Sequence, residues 1–159
     1  MWSQSSQGGT MTSKVSAEEI NTFLAAAFSR GGEGPGIAVE EVREDWCKLR
    51  LAYRDDYLRP GGVIAGPLQM SLADTATYIA VFTRLGIVPG AVTSSLNINF
   101  LNPCKAGDVI ATGQLIKLGK RFAVAEVDVR EENMTVPASR ATVTFTVPSS
   151  YHSDQAKQG

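Results

Sequence analysis

Residues Gly66 to Leu85 read GPLQMSLADTATYIAVFTRL, and this stretch decides the fold. Pro67 suits the first turn of a helix, where its missing N–H would have no partner, and Gly86 suits the residue after the last turn. The apolar residues between them fall on nearly every side of the helix instead of along one stripe. We therefore predict a long helix buried at the centre of the domain.

The segments on both sides of this helix have the composition of β-strands. Two precede it, at 37–43 and 46–53, and four follow it, at 92–101, 108–118, 121–130 and 136–147. A two-residue connection at Gly119-Lys120 is typical of a hairpin. Strands that follow one another around a single buried helix indicate an α+β fold with a largely antiparallel sheet.

The N-terminal part of the chain contains a second helix signal. Ser16 and Glu19 have the spacing of a capping box, and the apolar residues after them predict a short amphipathic helix to about residue 29. We expect a disordered segment at 1–13, one domain at 14–147 and a polar tail at 148–159.

Composition and charge exclude several classes of function. The 159 residues suffice for one domain, and the net charge of -1 is unlike that of a nucleic-acid-binding protein. No apolar run is long enough to span a membrane, and the N-terminus lacks the features of a secretory signal. Two distant cysteines fit a reducing cytoplasm. Because His152 in the tail is the single histidine, we expect no metal and no cofactor.

Asp74 is the first candidate for chemistry. It lies inside the apolar helix and has no basic residue within one turn. A buried carboxylate is costly unless it is hydrogen-bonded or reaches water, so an exposed or purely structural Asp74 is one interpretation. The other is a catalytic carboxylate at an apolar pocket, positioned for general-base work.

Two glycine-containing segments are further candidates. If Gly66 caps the helix, its N–H points outward with the positive end of the helix dipole behind it, which suits an oxyanion; an ordinary Gly-Pro helix start is the alternative. Gly119-Lys120-Arg121 joins a tight turn to two cations that could bind phosphate, although basic turns are often simply solvated.

Three motifs together resemble a known family. They are GVIAGPLQMSLAD at 62–74, VTSSLNINFLNP at 92–103 with AGD at 106–108, and GKRFAVAEVDVR at 119–130 with ATVTF at 141–145. Their order is similar to that of hotdog-fold acyl-CoA thioesterases of the phenylacetate-pathway type. The resemblance implies an antiparallel sheet wrapped around one long central helix, and a homodimer or a homotetramer built as a dimer of dimers.

The resemblance also implies roles for individual residues. Asp74 matches the base or nucleophile, Gly66 the amide that polarises the thioester carbonyl, and Thr93 a hydroxyl that orients water. Gly119, Lys120 and Arg121 match the turn that meets the nucleotide end of coenzyme A. Arg59 takes the position of the family's usual asparagine, which makes it a candidate for binding a ligand carboxylate or phosphate. Ala65-Gly66-Pro67 replaces the family's His-Gly-Gly.

Three functions follow as hypotheses. The first is hydrolysis of an acyl-CoA thioester by Asp74 and the Gly66 amide. The second is an acyl-CoA-binding protein of the same fold without catalysis, suggested by the altered segment at 65–67. The third, a dehydratase or hydratase, is weaker because such enzymes pair a histidine with a carboxylate and His152 lies in the tail. None of the three involves nucleic acid or a membrane.

Overall fold

The computed structural model describes residues 12–28 and 36–151. Helix α1 spans Ala17–Phe28 and α2 spans Gly66–Leu85. The strands are β1 (Ile37–Arg43), β2 (Trp46–Leu51), β3 (Leu58–Arg59), β4 (Val63–Ile64), β5 (Val92–Phe100), β6 (Val109–Leu118), β7 (Phe122–Glu131) and β8 (Ser139–Thr146). Residues 1–11 and 152–159 lie outside the described part, so the structure does not address most of the predicted disordered segment or His152.

Helix α2 lies against the inner face of a six-stranded sheet of order β1-β2-β6-β7-β8-β5. Within the described residues all the strand pairs of this sheet are antiparallel. Leu72, Ile79 and Phe82 of α2 are at most 1% exposed. Burying side chains of this size contributes about 1.5–3 kcal/mol each, so the apolar helix holds the domain together. The predicted hotdog fold is confirmed.

The start of α2 differs from the expectation by one residue. Ala65, with extended backbone, is the N-cap, so Gly66 and Pro67 are the first two residues of the helix. At its other end the Gly86 N–H donates to Phe82 O at 2.9 Å, and Gly86 has a φ of 80°. This left-handed conformation favours glycine and ends the helix.

Several strand boundaries and one turn also differ from the prediction, and the last strand begins at Ser139 instead of residue 136. Strand β2 ends at Leu51 and not Tyr53, because the Tyr53 N–H donates to Asp108 Oδ1 at 2.8 Å instead of continuing the sheet. The β6–β7 connection takes three residues instead of two. The Gly119 N–H closes it by donating to Phe122 O at 2.8 Å.

Strands β3 and β4 form a small hairpin that the sequence does not reveal. Each has two residues, too few for an alternating pattern to be visible. The Ala65 N–H donates to Tyr57 O at 3.0 Å and the Ile64 N–H to Cys104 O at 2.9 Å. These bonds fix the backbone that leads into α2.

Helix α1 begins with the predicted capping box. The Glu19 N–H donates to Ser16 Oγ at 3.1 Å, and the Ser16 N–H donates to Glu19 Oε2 at 3.4 Å. Ile20 and Leu24 are buried, and the Asn21 side chain bonds the Val39 backbone through both its oxygen and its nitrogen. The helix is thereby tied to β1.

Candidate active site

Asp74 and Thr93 are in direct contact. Asp74 lies half-buried on α2, and Thr93 at the start of β5 donates its hydroxyl to Asp74 Oδ1. Asp74 Oδ2 has no hydrogen-bond partner within the described residues. A carboxylate held by one oxygen and open at the other can accept a proton from a water molecule or attack an electrophile.

A β-bulge in β5 brings Thr93 to this position. The pairing with β8 shifts between Thr93, opposite Phe145, and Ser95, opposite Thr144. Without the extra residue, Thr93 would share the outer face of the sheet with Ser95 and Asn97. The bulge at Ser94 turns the Thr93 side chain inward, toward α2.

The Asp74–Thr93 pair lies at the wall of a cavity of about 540 Å³. The cavity is lined by Leu24, Phe28, Ile37, Ser71, Asp74, Thr75, Tyr78, Pro89, Ala91, Val92, Thr93 and Phe145. Most of these side chains are apolar, and the Tyr78 hydroxyl is already bonded to Pro89 O at 3.0 Å. The cavity therefore suits an apolar group placed next to the free carboxylate oxygen.

Sequence reasoning missed the contribution of α1 to this cavity. Leu24 and Phe28 form part of its wall, and the apolar stripe of the helix was the signal that could have indicated it. Among the large side chains of α2, that of Tyr78 lines the cavity. Met70 is 39% exposed and does not line the cavity, whereas Phe82 is fully buried core.

Gly66 lies at the N-terminal end of α2, away from the Asp74–Thr93 pair. Its N–H is in the first turn of α2 and donates to no acceptor within the described residues. The Phe100 ring covers the glycine, since a Cβ added at Gly66 would stand 3.1 Å from Phe100 Cζ. This free amide at the positive end of a 20-residue helix is suited to hold a negatively charged oxygen.

One chain does not bring Asp74 and Gly66 to the same reacting atom. They are eight positions apart on α2, which corresponds to about 12 Å along the helix axis at 1.5 Å per residue. A thioester carbonyl within reach of the Gly66 N–H is therefore out of reach of the Asp74 carboxylate of the same chain.

The remaining predicted site residues lie in two places, one near Thr93 and the other near Gly66. The turn Gly119-Lys120-Arg121 lies at the Thr93 end, because Phe122 after the turn and Val92 at the start of β5 both pair with Thr146. Arg59 lies at the Gly66 end, where it pairs with Val63 in the hairpin that leads into α2.

Other chemistries find little support in the described residues. No three His, Cys, Asp or Glu side chains there are placed to hold a metal ion. Burial raises the pKa of Cys47 to about 12 and that of Cys104 to about 11, so neither thiol is an effective nucleophile at neutral pH. Neither of the two long helices has the length and apolar character required to cross a bilayer.

Comparison with known proteins identifies the family of the chain. Residues 61–138 match the model of the thioesterase superfamily. A Saccharolobus solfataricus protein provisionally named an esterase is 32% identical over 103 residues, which are 65% of this chain and 68% of the relative.

Solved structures of other proteins have a similar fold. A protein from Silicibacter sp. TM1040, provisionally described as a thioesterase, has a TM-score of 0.75 at 25% identity, covering 87% of this chain and 96% of that one. The Escherichia coli PaaI protein of the phenylacetic acid degradation operon has a TM-score of 0.63 at 24% identity, covering 71% and 80%, and shows the same fold. The chain belongs to the thioesterase superfamily, whose general reaction is thioester hydrolysis.

Proposed function

We propose that the protein hydrolyses an acyl-CoA thioester to the free acid and CoA. The contact between Thr93 and Asp74 at the cavity wall carries the proposal. It fixes one oxygen of a carboxylate and leaves the other open beside a space that suits an apolar acyl group. Family membership supports thioester hydrolysis in general, and this contact supports Asp74 as the residue that performs it.

In the proposed reaction a water molecule attacks the thioester carbonyl carbon while Asp74 takes its proton. The carbonyl oxygen becomes an oxyanion held by a Gly66 N–H. The C–S bond then breaks, the acid leaves with the new C–O bond, and the CoA thiolate receives the proton from Asp74. Thiols have a pKa near 8.5, so the thiolate leaves without a strong acid. Direct attack by Asp74, followed by hydrolysis of the anhydride, gives the same products.

This reaction requires two chains, because Asp74 and Gly66 of one chain are too far apart. Strand β5 is an edge of the sheet with nine residues, and both Val92 and Phe100 expose more than half of their surface, at 57% and 53%. The unpaired N–H and C=O groups of a long exposed edge form a template for pairing with another strand. We propose that β5 pairs antiparallel with β5 of a second copy.

Such pairing explains how the site is completed. In a two-fold antiparallel pair, the beginning of one β5 meets the end of the other. The Asp74 end of one chain therefore faces the partner's Gly66 end, and the two exposed apolar residues cover each other. Each homodimer then has two composite sites, and a dimer of such dimers would give the homotetramer.

The two ends of the substrate occupy different surfaces in this proposal. The acyl group enters the cavity at Asp74. Lys120, Arg121 and the backbone of Gly119 bind phosphates of coenzyme A, which fits their position at the Thr93 end of the sheet. A cytoplasmic location is proposed as well, since both cysteines are free thiols.

Release of free thiol from short, medium, long and aryl acyl-CoAs tests the function. We expect turnover by the native protein and a loss of kcat of at least 100-fold in Asp74→Asn, because the amide cannot accept the proton. Asp128→Asn is the matched control, since it neutralises an exposed carboxylate paired with Arg140. Acyl-CoA binding without turnover in the native protein would refute hydrolysis and select the non-catalytic binding protein.

A further inference from the structure

Two cations near the start of α2 share one face of a small sheet. Arg59 pairs with Val63 across the β3–β4 hairpin, and Val63 forms an antiparallel bridge with Lys105 on its other side. Directly paired residues project from the same face of a sheet. The Arg59 and Lys105 side chains therefore flank Val63 on one face, two strand spacings or about 10 Å apart at their backbones.

The exposure of the individual residues shows that this face is turned toward solvent. Arg59 and Lys105 are exposed, whereas Ile64 and Cys104, which follow the opposite alternation, are at most 2% exposed. The cations thus point to solvent while the other face packs into the core.

The charges of Arg59 and Lys105 are not neutralised by any carboxylate within the described residues. Within the described residues, the side chains of Arg59 and Lys105 make no ion pair and no hydrogen bond. The two carboxylates that precede Arg59 already have donors: the Tyr53 hydroxyl bonds Asp55 at 2.8 Å, and Arg54 bonds Asp56 at 3.0 and 2.9 Å. Most of the other arginines that the structure describes, such as Arg50, Arg84 and Arg140, are paired with carboxylates.

The surroundings favour a bound anion. The backbone is held by the Ile64 N–H bond to Cys104 O at 2.9 Å and the Gly62 N–H bond to Arg59 O at 3.1 Å, so the cations stand on a fixed frame. The space beside the turn is open, since a Cβ added at Gly61 or Gly62 would meet nothing within 4 Å. Gly66 follows Val63 by three residues, at most about 10 Å of extended chain.

We propose that Arg59 and Lys105 form an anion-binding pair that takes a carboxylate or phosphate group of the substrate near the oxyanion site. Arginine offers two parallel N–H donors to such a group, and lysine adds a compact charge. The proposal rests on the proposed thioesterase function and extends it, because it gives the substrate a second charged attachment. The anion comes either from the far end of the acyl group or from coenzyme A.

Kinetics with four thioesters separate the two sources. Butyryl-CoA and succinyl-CoA differ by a terminal carboxylate, and the butyryl and succinyl thioesters of N-acetylcysteamine lack the phosphates. We expect the double variant Arg59→Gln/Lys105→Gln to lose about 10-fold or more in kcat/KM. A loss for both succinyl thioesters alone identifies the acyl carboxylate, and a loss for both CoA thioesters alone identifies a CoA phosphate.

Arg54→Gln is the control, since it removes a neighbouring exposed cation that is already paired with Asp56. Arg59→Lys keeps the charge without the paired donors and should restore part of the loss. An equal kcat/KM for the double variant and the native protein on all four thioesters would overturn the anion-binding pair.

Calorimetry separates this proposal from the proposed function. CoA and succinate are titrated into the native protein, Asp74→Asn and the double variant. Weaker binding of either ligand by the double variant alone supports the pair even if no thioester is hydrolysed, which would refute only the hydrolysis. Equal dissociation constants for the double variant and the native protein refute the pair, whatever the turnover.

Discussion

At the scale of the residue, Thr93 determines how the Asp74 carboxylate is presented. Its hydroxyl occupies Oδ1, so that Oδ2 is the oxygen available to a water molecule. We regard Thr93 as a positioning residue, and expect Thr93→Val to lower kcat about 10- to 100-fold with little change in KM. Thr93→Ser should recover most of the activity because it keeps the hydroxyl. Thiol-release kinetics measure both.

Thr22→Val is the matched control for this prediction. It removes a threonine hydroxyl on α1 that bonds only the Glu18 carbonyl one turn earlier, at 3.0 Å. If Thr93→Ser were as impaired as Thr93→Val, or if Thr22→Val caused a similar loss, positioning by the Thr93 hydroxyl would be wrong.

At the scale of the element, Asp108 joins the beginning of β6 to β2 and the segment after it. Its Oδ1 accepts the Tyr53 N–H at 2.8 Å, and its Oδ2 accepts Arg50 at 3.0 Å. These bonds, first that of the Tyr53 N–H and then that of Arg50, lower the pKa of Asp108 below its ordinary value of 3.8. The charged form is therefore favoured in the folded protein.

The lowered pKa of Asp108 determines how the stability of the protein changes with pH. A carboxyl whose pKa is lower in the folded state contributes stability above its ordinary pKa and loses it as the pH falls through the folded value. We expect Asp108→Asn to lower the free energy of unfolding at pH 7, and its difference from the native protein to shrink below about pH 4. Urea denaturation at pH 7, 5, 4 and 3 measures this.

Asp56→Asn serves as the control for Asp108→Asn. Asp56 is paired with Arg54 at the surface, where its side chain is 62% exposed, and such pairs contribute little to stability. A difference between Asp108→Asn and the native protein that stayed constant from pH 7 to 3 would contradict the role of the charged Asp108.

At the scale of the whole molecule, the exposed edge of β5 predicts a dimer. Ser95→Asp/Asn97→Asp places two negative charges in the middle of β5, where they would face their own copies across the two-fold axis. We expect sedimentation to show folded monomers without thioesterase activity. The neutral variant Ser95→Thr/Asn97→Thr should remain a dimer and keep its activity. A monomeric native protein that hydrolyses acyl-CoA would contradict the composite site.

Mixing two inactive variants tests the same composite site directly. Asp74→Asn and Gly66→Val, whose added Cβ would crowd the Phe100 ring, should each be inactive alone. After unfolding and refolding together, half of the dimers are mixed, and each of these has one intact site. Roughly a quarter of the native activity should return. A return to no more than the sum of the separate variants would mean that the two residues do not act in trans.

Much of this protein follows from its sequence alone. Local patterns predict the central helix, the six long strands in their order along the chain, and the capping box at Ser16. Each of these features depends on residues that are near one another in the chain. For the same reason Asp74 and Gly66 could be selected as candidates, one as a charge in an apolar helix and the other as a glycine at a helix start.

Only the tertiary structure decides how the site is arranged. The bulge at Ser94 reverses the direction of Thr93 and depends on pairing with β8, about 50 residues away in sequence. The alignment of Arg59, Val63 and Lys105 on one face depends on a β-bridge between segments that are distant in sequence. The strands involved are too short to show an alternating pattern of apolar and polar residues. The separation of about 12 Å along the axis between Asp74 and Gly66 follows once α2 is one continuous helix, and it matters because α2 lies beside an open sheet edge. Long-range pairing has no local signature, so these relations appear only in the folded chain.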